Sequence, residues 1–176
     1  MKKIIAIVLA AAMLCTFAAC GEKTAEYKLG MGVVVSMESS KTENAQVDAT
    51  VATVVLDKDG KIVACRIDVA QNKMAVVGGA VDTAATFKTK MELGDAYGMA
   101  GKVDNDGNGV MKEWDAQSAA FSAFVVGKTA AQVRGLELQE ANGHKIAVDK
   151  ALLDAGCSMQ ITGMMEAIAT ACDHAR

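Results

Sequence analysis

Residues 29–69, LGMGVVVSMESSKTENAQVDATVATVVLDKDGKIVACRIDV, decide the fold because they predict three β-strands separated by polar turns. In residues 29–37 large apolar side chains occupy every second position, which is typical of a half-buried strand. Residues 47–56, rich in Val and Thr, predict a second strand and residues 61–69 a third, with turn residues at 57–60 between them. We therefore expect an antiparallel meander. The alternating set on the first strand consists of Leu29, Met31, Val33, Val35 and Met37, with Gly30 and Gly32 opposite.

Helical signals follow the meander. Residues 72–88 fit either a ragged hairpin or a loop over the sheet. Residues 89–92 (Thr-Lys-Met-Glu) fit a capping box, and the helix that they open is expected to end near Gly98. Residues 110–126 predict the longest helix, and residues 129–132 form a second capping box that opens a short one. The long helix has as apolar anchors Met111, Trp114, Phe121 and Val125.

The last part of the chain alternates between strand and helix signals. Residues 136–148, with Asn-Gly at the turn, predict another extended pair. Residues 149–154 predict one or two helical turns and residues 158–161 a short strand, after which Thr162 is expected to cap a final helix. No repeat or linker divides the chain. We therefore predict one α+β domain over residues 29–176, an antiparallel β-meander followed by helices, with a C-terminal strand–helix unit.

The N-terminal segment predicts export. Residues 1–19 have a basic start, an apolar run and two small residues, which are the parts of a signal peptide. Residues 17–20, Phe-Ala-Ala-Cys, resemble the lipobox of bacterial lipoproteins, which implies cleavage before Cys20 and a lipid on its thiol. An incidental cysteine is the alternative, while a spanning anchor is disfavoured because the run is shorter than the ~20 residues it needs. We expect residues 20–28 to tether an extracytoplasmic domain to the bacterial cell membrane.

Charge and motif content argue against several classes of function. Residues 1–19 carry two of the 18 basic residues and no acidic ones, so 21 acidic residues give the remaining chain a formal charge of −5. Since it has no basic stripe, nucleic acid is not expected as a partner. There is no Gly-rich phosphate loop, paired-cysteine metal motif or Ser-His-Asp pattern. The remaining cysteines are too few for a disulfide scaffold and are expected to be small buried residues.

One segment has the spacing of a calcium loop. Residues 104–115, DNDGNGVMKEWD, place oxygen-bearing side chains at loop positions 1, 3, 5 and 12 and a glycine at position 6. Lys112 at position 9 is not a ligand. The alternative is a solvated connection between two helices, since Asp, Asn and Gly favour turns. The candidate Ca²⁺ ligands are Asp104, Asp106, Asn108 and Asp115.

A second signal lies near the C-terminus. Residues 154–162, DAGCSMQIT, are followed by an apolar helix and resemble the end of FMN-binding domains, which include flavin-carrying subunits of sodium-pumping quinone reductases and Rnf complexes. In that family a Ser-Gly-Ala-Thr motif carries FMN on its threonine through a phosphoester bond. The resemblance implies that Gly156 matches the motif glycine, Cys157 the alanine and Ser158 the flavin-bearing residue, while Ala155 replaces the motif serine. The alternative is a plain turn into the last strand.

A wider resemblance supports the same layout. Residues 88–99 (KTKMELGDAYGM), 112–114 (KEW) and 126–129 (VGKT) resemble FMN-binding-like lipoproteins of anaerobic Firmicutes. This implies FMN as cofactor, redox proteins as partners, and an electron carrier or binding protein of the envelope rather than a stand-alone enzyme. Tyr97 offers a flat face to a flavin ring, whereas Trp114 is expected in the core. The alternatives are a binding or scaffold domain that has lost the flavin site, or a calcium-stabilised domain.

Overall fold

The computed structural model describes residues 26–81, 87–107 and 109–176. The predicted signal peptide, Cys20 and most of the tether lie outside these residues. The meander is confirmed as an antiparallel sheet with the strand order β1-β2-β3-β4. Its strands are β1 (Lys28–Ser36), β2 (Asn44–Leu56), β3 (Ile62–Val77) and β4 (Ala80–Val81).

The second and third strands are longer than predicted. β2 begins at Asn44, which lies opposite Ala75 in the register with β3. Residues 71–73 are polar, so the sequence did not predict a strand there, but their backbone still pairs with β2. A hairpin follows at Gly78 and Gly79, so this alternative for the ambiguous stretch is confirmed up to Val81, and residues 82–86 lie outside the described part.

Five helices, a 3-10 turn and a second, two-stranded sheet follow the main sheet along the described part of the chain. Both capping boxes are confirmed: Thr89 accepts from the Glu92 amide and Thr129 from the Gln132 amide. A 3-10 turn, Gly94–Tyr97, follows the first helix and ends at Gly98 as predicted. The helices are α1 (Lys90–Leu93), α2 (Trp114–Phe124), α3 (Ala130–Arg134), α4 (Lys150–Asp154) and α5 (Thr162–Asp173), and the second sheet is the hairpin of β5 (Leu138–Ala141) and β6 (His144–Ala147).

Three local predictions were wrong. The predicted helix 110–126 begins only at Trp114, because Glu113 caps it, and α2 is one residue shorter than the 12-residue α5. Residues 158–161 form no strand, since the first two amides of this segment bond to a side chain of α2. Thr162 is the first residue of α5 rather than its cap; the cap position is Ile161, which makes no side-chain capping bond.

Helices α2 and α5 pack on one face of the main sheet, which we call the covered face. Its largest fully buried side chains include Trp114 and Phe121 of α2, Ile168 of α5 and Ile67 of β3. These residues belong to one cluster, so the described chain has a single hydrophobic core. In the described part of the chain, no helix is both long and apolar enough to cross a membrane.

Strand β1 turns its glycines, not its large side chains, toward the helices. A Cβ atom at Gly30 would overlap the carbonyl oxygen of Ala171, and one at Gly32 would overlap that of Ala167. The glycines therefore let α5 approach the backbone of β1 closely. The predicted alternation is confirmed, but its apolar side chains lie in solvent. We call them the open face: Leu29, Met31, Val33, Val35 and Met37, each between 45% and 66% exposed.

Candidate functional site

The predicted flavin-attachment segment is a buried crossing between α4 and α5. Gly156 has a φ of +86°, which favours glycine, and it follows Ala155, the C-cap residue of α4. Cys157 and Ser158 are both buried, and Ser158 is only 4% exposed. The amides of Ser158 and Met159 donate to Oε1 of Gln117 at 3.1 and 3.0 Å. The segment is therefore held against helix α2 rather than presented at the surface.

Gln117 is the residue that joins this segment to the rest of the domain. It is fully buried on α2, and its Nε2 donates to the carbonyl oxygen of Lys112 at 2.8 Å and to Sδ of Met99 at 3.1 Å. Its amide thus connects four chain segments. The only sign of this role in the sequence is a polar residue at a core position of a helix, between Trp114 and Phe121, and the role of Gln117 was not predicted.

The structure brings the calcium-like loop onto the attachment segment. Nδ2 of Asn105 donates to the carbonyl oxygen of Ser158 at 2.8 Å. Nζ of Lys112 donates to the carbonyl oxygen of Ala155, also at 2.8 Å. The Lys112 side chain lies over Gly156, where a Cβ atom would come within 2.7 Å of its Cδ. The two sequence motifs, predicted separately, therefore form one packed junction.

The predicted calcium ligands do not converge among the described residues. Oδ1 of Asp104 accepts from the Gly109 amide at 3.1 Å within the loop. Asp115 lies in the first turn of α2, accepts from the Ala116 amide and borders a cavity on the side of β3. No group of three or more acidic, His or Cys side chains suited to a metal occurs in the described ranges, and Asn108 is outside them. Calcium binding, which also involves Asp106, stays a prediction.

Glu113 fixes the start of α2 and the segment that precedes the loop. Its carboxylate is 7% exposed and accepts backbone N–H bonds from Met99, Ala100 and Trp114, each at 3.0 Å. Burial alone would raise the pKa of Glu113, but these donors outweigh burial, and the pKa lies below its ordinary value. Glu113 is therefore a buried anion that holds three backbone amides together, which we call the staple role of Glu113. This role was not predicted, because glutamate is uncommon as a helix cap.

A cavity of about 480 Å³ lies beside Tyr97, where α1 and the 3-10 turn meet the end of β3. The hydroxyl of Tyr97 donates to Oε1 of Gln71 at 3.5 Å. Nζ of Lys90 lies 4.7 Å from the centroid of the Tyr97 ring and 5.4 Å from that of Trp114. Ser158 is not in the lining, so the structure separates two of the predicted flavin residues. The lining consists of Gln71, Lys73, Phe87, Lys88, Leu93, Ala96 and Tyr97.

The pKa values of Tyr97 and Lys90, beside this cavity, are shifted from their ordinary values. Burial raises the pKa of Tyr97, opposed by the charge of Lys73, so its hydroxyl is neutral at physiological pH. Burial also lowers the pKa of Lys90, and the charge of Asp48 opposes this. In Asp48, Oδ2 accepts from Nε2 of Gln46 at 2.7 Å, while Oδ1 is buried with no hydrogen-bond partner. The cavity thus has an aromatic wall and charged neighbours of both signs.

The three cysteines in the described part of the chain are partly or fully buried thiols. Cys65, Cys157 and Cys172 are all free. Burial raises the pKa of Cys65 to about 11 and that of Cys157 to about 12, so both are protonated thiols at neutral pH. The prediction of buried cysteines is confirmed for Cys157, whereas Cys65 and Cys172 are half-buried.

Comparison of the chain with family models, curated proteins and solved structures gives no match. Its function must therefore be inferred from the geometry described above. Two places stand out: the buried junction around Gln117, whose polar groups are satisfied by the protein itself, and the cavity beside Tyr97, which is open to a ligand.

Proposed function

We propose that this protein is a lipid-anchored extracytoplasmic binding protein that holds FMN, without covalent attachment, in the cavity beside Tyr97. The observation that carries the proposal is the combination of two aromatic rings and two ammonium groups in one lining, from Phe87, Tyr97, Lys73 and Lys88. A volume of about 480 Å³ falls within the usual range of small-molecule sites.

The chemistry of this lining complements FMN. The flavin ring is flat and largely apolar, and Tyr and Phe rings stack on such surfaces. The flavin phosphate is an anion, for which the Nζ groups of Lys73 and Lys88 supply charge-assisted hydrogen bonds. When bound, FMN supplies electron-transfer chemistry. The residues of this chain would then bind and orient the flavin for a redox partner protein at the membrane.

The burial of Ser158 favours non-covalent over covalent binding. A transferase must reach the hydroxyl to which it attaches FMN, yet Ser158 is 4% exposed and both peptide groups of its backbone are hydrogen-bonded inside the domain. It also lies outside the lining of the Tyr97 cavity. Covalent attachment would require the Gln117 junction to open, which leaves buried polar groups unpaired.

The predicted lipid on Cys20 supports a function close to the membrane. The seven residues between Cys20 and Lys28, the first residue of β1, let the two Cα atoms lie at most about 30 Å apart when the chain is extended. Lipidation of Cys20 would therefore keep the domain within a short distance of the bilayer surface. Fractionation of cells that express the wild type or Cys20→Ser tests this part: the wild type should sediment with membranes, and the variant should not.

The flavin part is tested by titrating the mature chain, kept in solution by Cys20→Ser, with FMN and with riboflavin while flavin fluorescence is followed. Tyr97→Ala should weaken binding of both flavins about tenfold through lost stacking. Lys73→Gln combined with Lys88→Gln should weaken FMN selectively, because riboflavin has no phosphate. Tyr27→Ala, which removes the other tyrosine, at a position 58% exposed, is the matched control and should bind normally.

Two results would contradict the proposal for FMN. One is a chain that binds neither flavin at submillimolar concentration; the other is binding that is indifferent to Tyr97 and to both lysines. The first would favour the second candidate function, an anchored binding or scaffold domain that has lost its flavin site. The specific observation in favour of that candidate is the self-satisfied, buried attachment segment.

A further inference from the structure

The open face of the main sheet is an apolar surface on an edge strand. Its five side chains on and just after β1 alternate along the chain and are exposed, while the described helices α2 and α5 lie on the opposite face. The neighbouring strand extends this surface, because the pairing register places side chains of β2 beside them. The pairs that share this face are Leu29 with Val55, Met31 with Thr53, and Val33 with Val51.

We propose that the open face is an interface between two copies of this chain, whose sheets stack face to face about a twofold axis. The fractional exposures of these five residues correspond to roughly 500 Å² in each copy, so stacking two copies buries roughly 1,000 Å², which reaches the lower limit for a specific interface. A patch of this size matches the largest apolar patch of a typical monomer, and such patches often bind another molecule. The proposal is independent of flavin binding, since the lining of the cavity beside Tyr97 includes no residue of β1 or β2.

The same surface is poorly suited to insertion into lipid. The N–H and C=O groups of Leu29 pair with Arg176, away from β2. Strand alternation therefore directs those of Met31, Val33 and Val35 away from β2 as well. Such edge groups would lose their water in a bilayer, whereas they stay at the solvated rim of a stacked dimer.

Stacking fits the surface better than edge-to-edge pairing of two β1 strands. Pairing of edges would satisfy backbone groups, which water already satisfies, but it would leave Met31, Val33 and Val35 in solvent. Stacking removes these side chains from water, which is the main driving force for association. A twofold axis brings the same patch of both copies together, so the surface needs only to complement itself, and two sheets then pack about 10 Å apart.

The test is sedimentation equilibrium of the mature chain with Cys20→Ser, over a wide range of concentrations. We expect a dimer with a dissociation constant in the micromolar range or tighter. Met31→Gln combined with Val33→Thr keeps the shapes and suits a strand, and it should weaken the dimer at least tenfold. The matched control is Val103→Thr with Val110→Thr, two exposed valines of the loop before α2, and it should leave the dimer unchanged.

Thermal unfolding followed by circular dichroism, at a concentration where all forms are monomeric, should show that the paired variants fold equally well. A wild-type chain that remains monomeric at about 100 μM would overturn the proposal, as would a dimer that the face variant does not weaken. Binding to vesicles of phosphatidylcholine and phosphatidylglycerol tests whether the open face binds lipid instead. Vesicle binding by a monomer that is lost in the Met31→Gln/Val33→Thr variant would assign the face to lipid instead.

Discussion

The two faces of strand β1 contrast sharply although they alternate along the same nine residues. On the covered face, Gly30 and Gly32 have no side chain, and helix α5 lies against their backbone. On the open face, Leu29, Met31 and Val35 are large, apolar and in solvent. Burial on this strand is thus decided by the distance to the neighbouring helix and not by side-chain hydrophobicity. The large side chains, freed from the core, form a surface for another molecule.

The largest loss of stability is expected when a methyl group is added on the covered face of β1. Gly32→Ala places a Cβ atom against the carbonyl oxygen of Ala167. The backbone of α5 must then shift, and since overpacking costs 1–3 kcal/mol or more, we expect a loss of about 3 kcal/mol in the free energy of unfolding. Urea denaturation at a concentration where the chain is monomeric measures this change.

Met31→Ala, at the adjacent position, is the control for the open face. It removes a side chain that is 58% exposed, and we expect a loss below about 1 kcal/mol in the monomer. Equal losses for Gly32→Ala and Met31→Ala would contradict the assignment of the faces, because they would mean that α5 does not press on β1.

The helix α2, which packs on the covered face, is capped by the buried carboxylate of Glu113. The free energy of unfolding should therefore depend on the protonation of Glu113 and so on pH. Glu113→Gln keeps the size of the side chain but removes the charge that accepts three backbone N–H bonds. We expect a loss of about 2 kcal/mol in unfolding free energy at pH 7, since hydrogen bonds to charged groups are the stronger ones. Chemical denaturation of both proteins between pH 3 and pH 7 measures it.

The sign of the pH effect follows from the lowered pKa of Glu113 in the folded state. The stabilisation is fully present above the unfolded pKa of glutamate, about 4.3. It is lost as the pH falls through the folded pKa. The difference between wild type and Glu113→Gln should therefore shrink on acidification below pH 4.3. Glu140→Gln, an exposed residue of β5, is the control, and an equally large effect there would contradict the staple role of Glu113.

The sequence predicted those features that depend on a few neighbouring residues. The capping boxes at residues 89–92 and 129–132 and the hairpin at Asn142 were correct because each is a local hydrogen-bonding or turn preference. The meander was correct because alternation and turn residues determine its strands. The α+β class followed from the order of these elements.

The features that were missed depend on contacts between distant segments. Alternation in β1 indicates which side chains share a face, but the buried face was decided by α5, more than 100 residues later in the chain. Residues 158–161 have the composition of a strand, but Gln117 takes the amides at its start. In the candidate site, Tyr97 lies beside a cavity and its flavin role stays a prediction, whereas the burial of Ser158 depends on a helix that the local motif does not contain.

The smallest expected change in stability is that of Val35→Thr on the open face, which is compared with the same substitution on the covered face. Val35→Thr replaces a methyl group by a hydroxyl at a position that is 62% exposed, whereas Val54→Thr does so at a position that is 1% exposed on the covered face. The hydroxyl stays hydrated at residue 35, so the free energy of unfolding of the monomer should change by less than about 0.5 kcal/mol. At residue 54 it loses its water, and we expect a loss of about 2 kcal/mol. Equal losses in urea denaturation would mean that another part of the chain covers Val35 within the same molecule, and the open face would then not be available to a second copy.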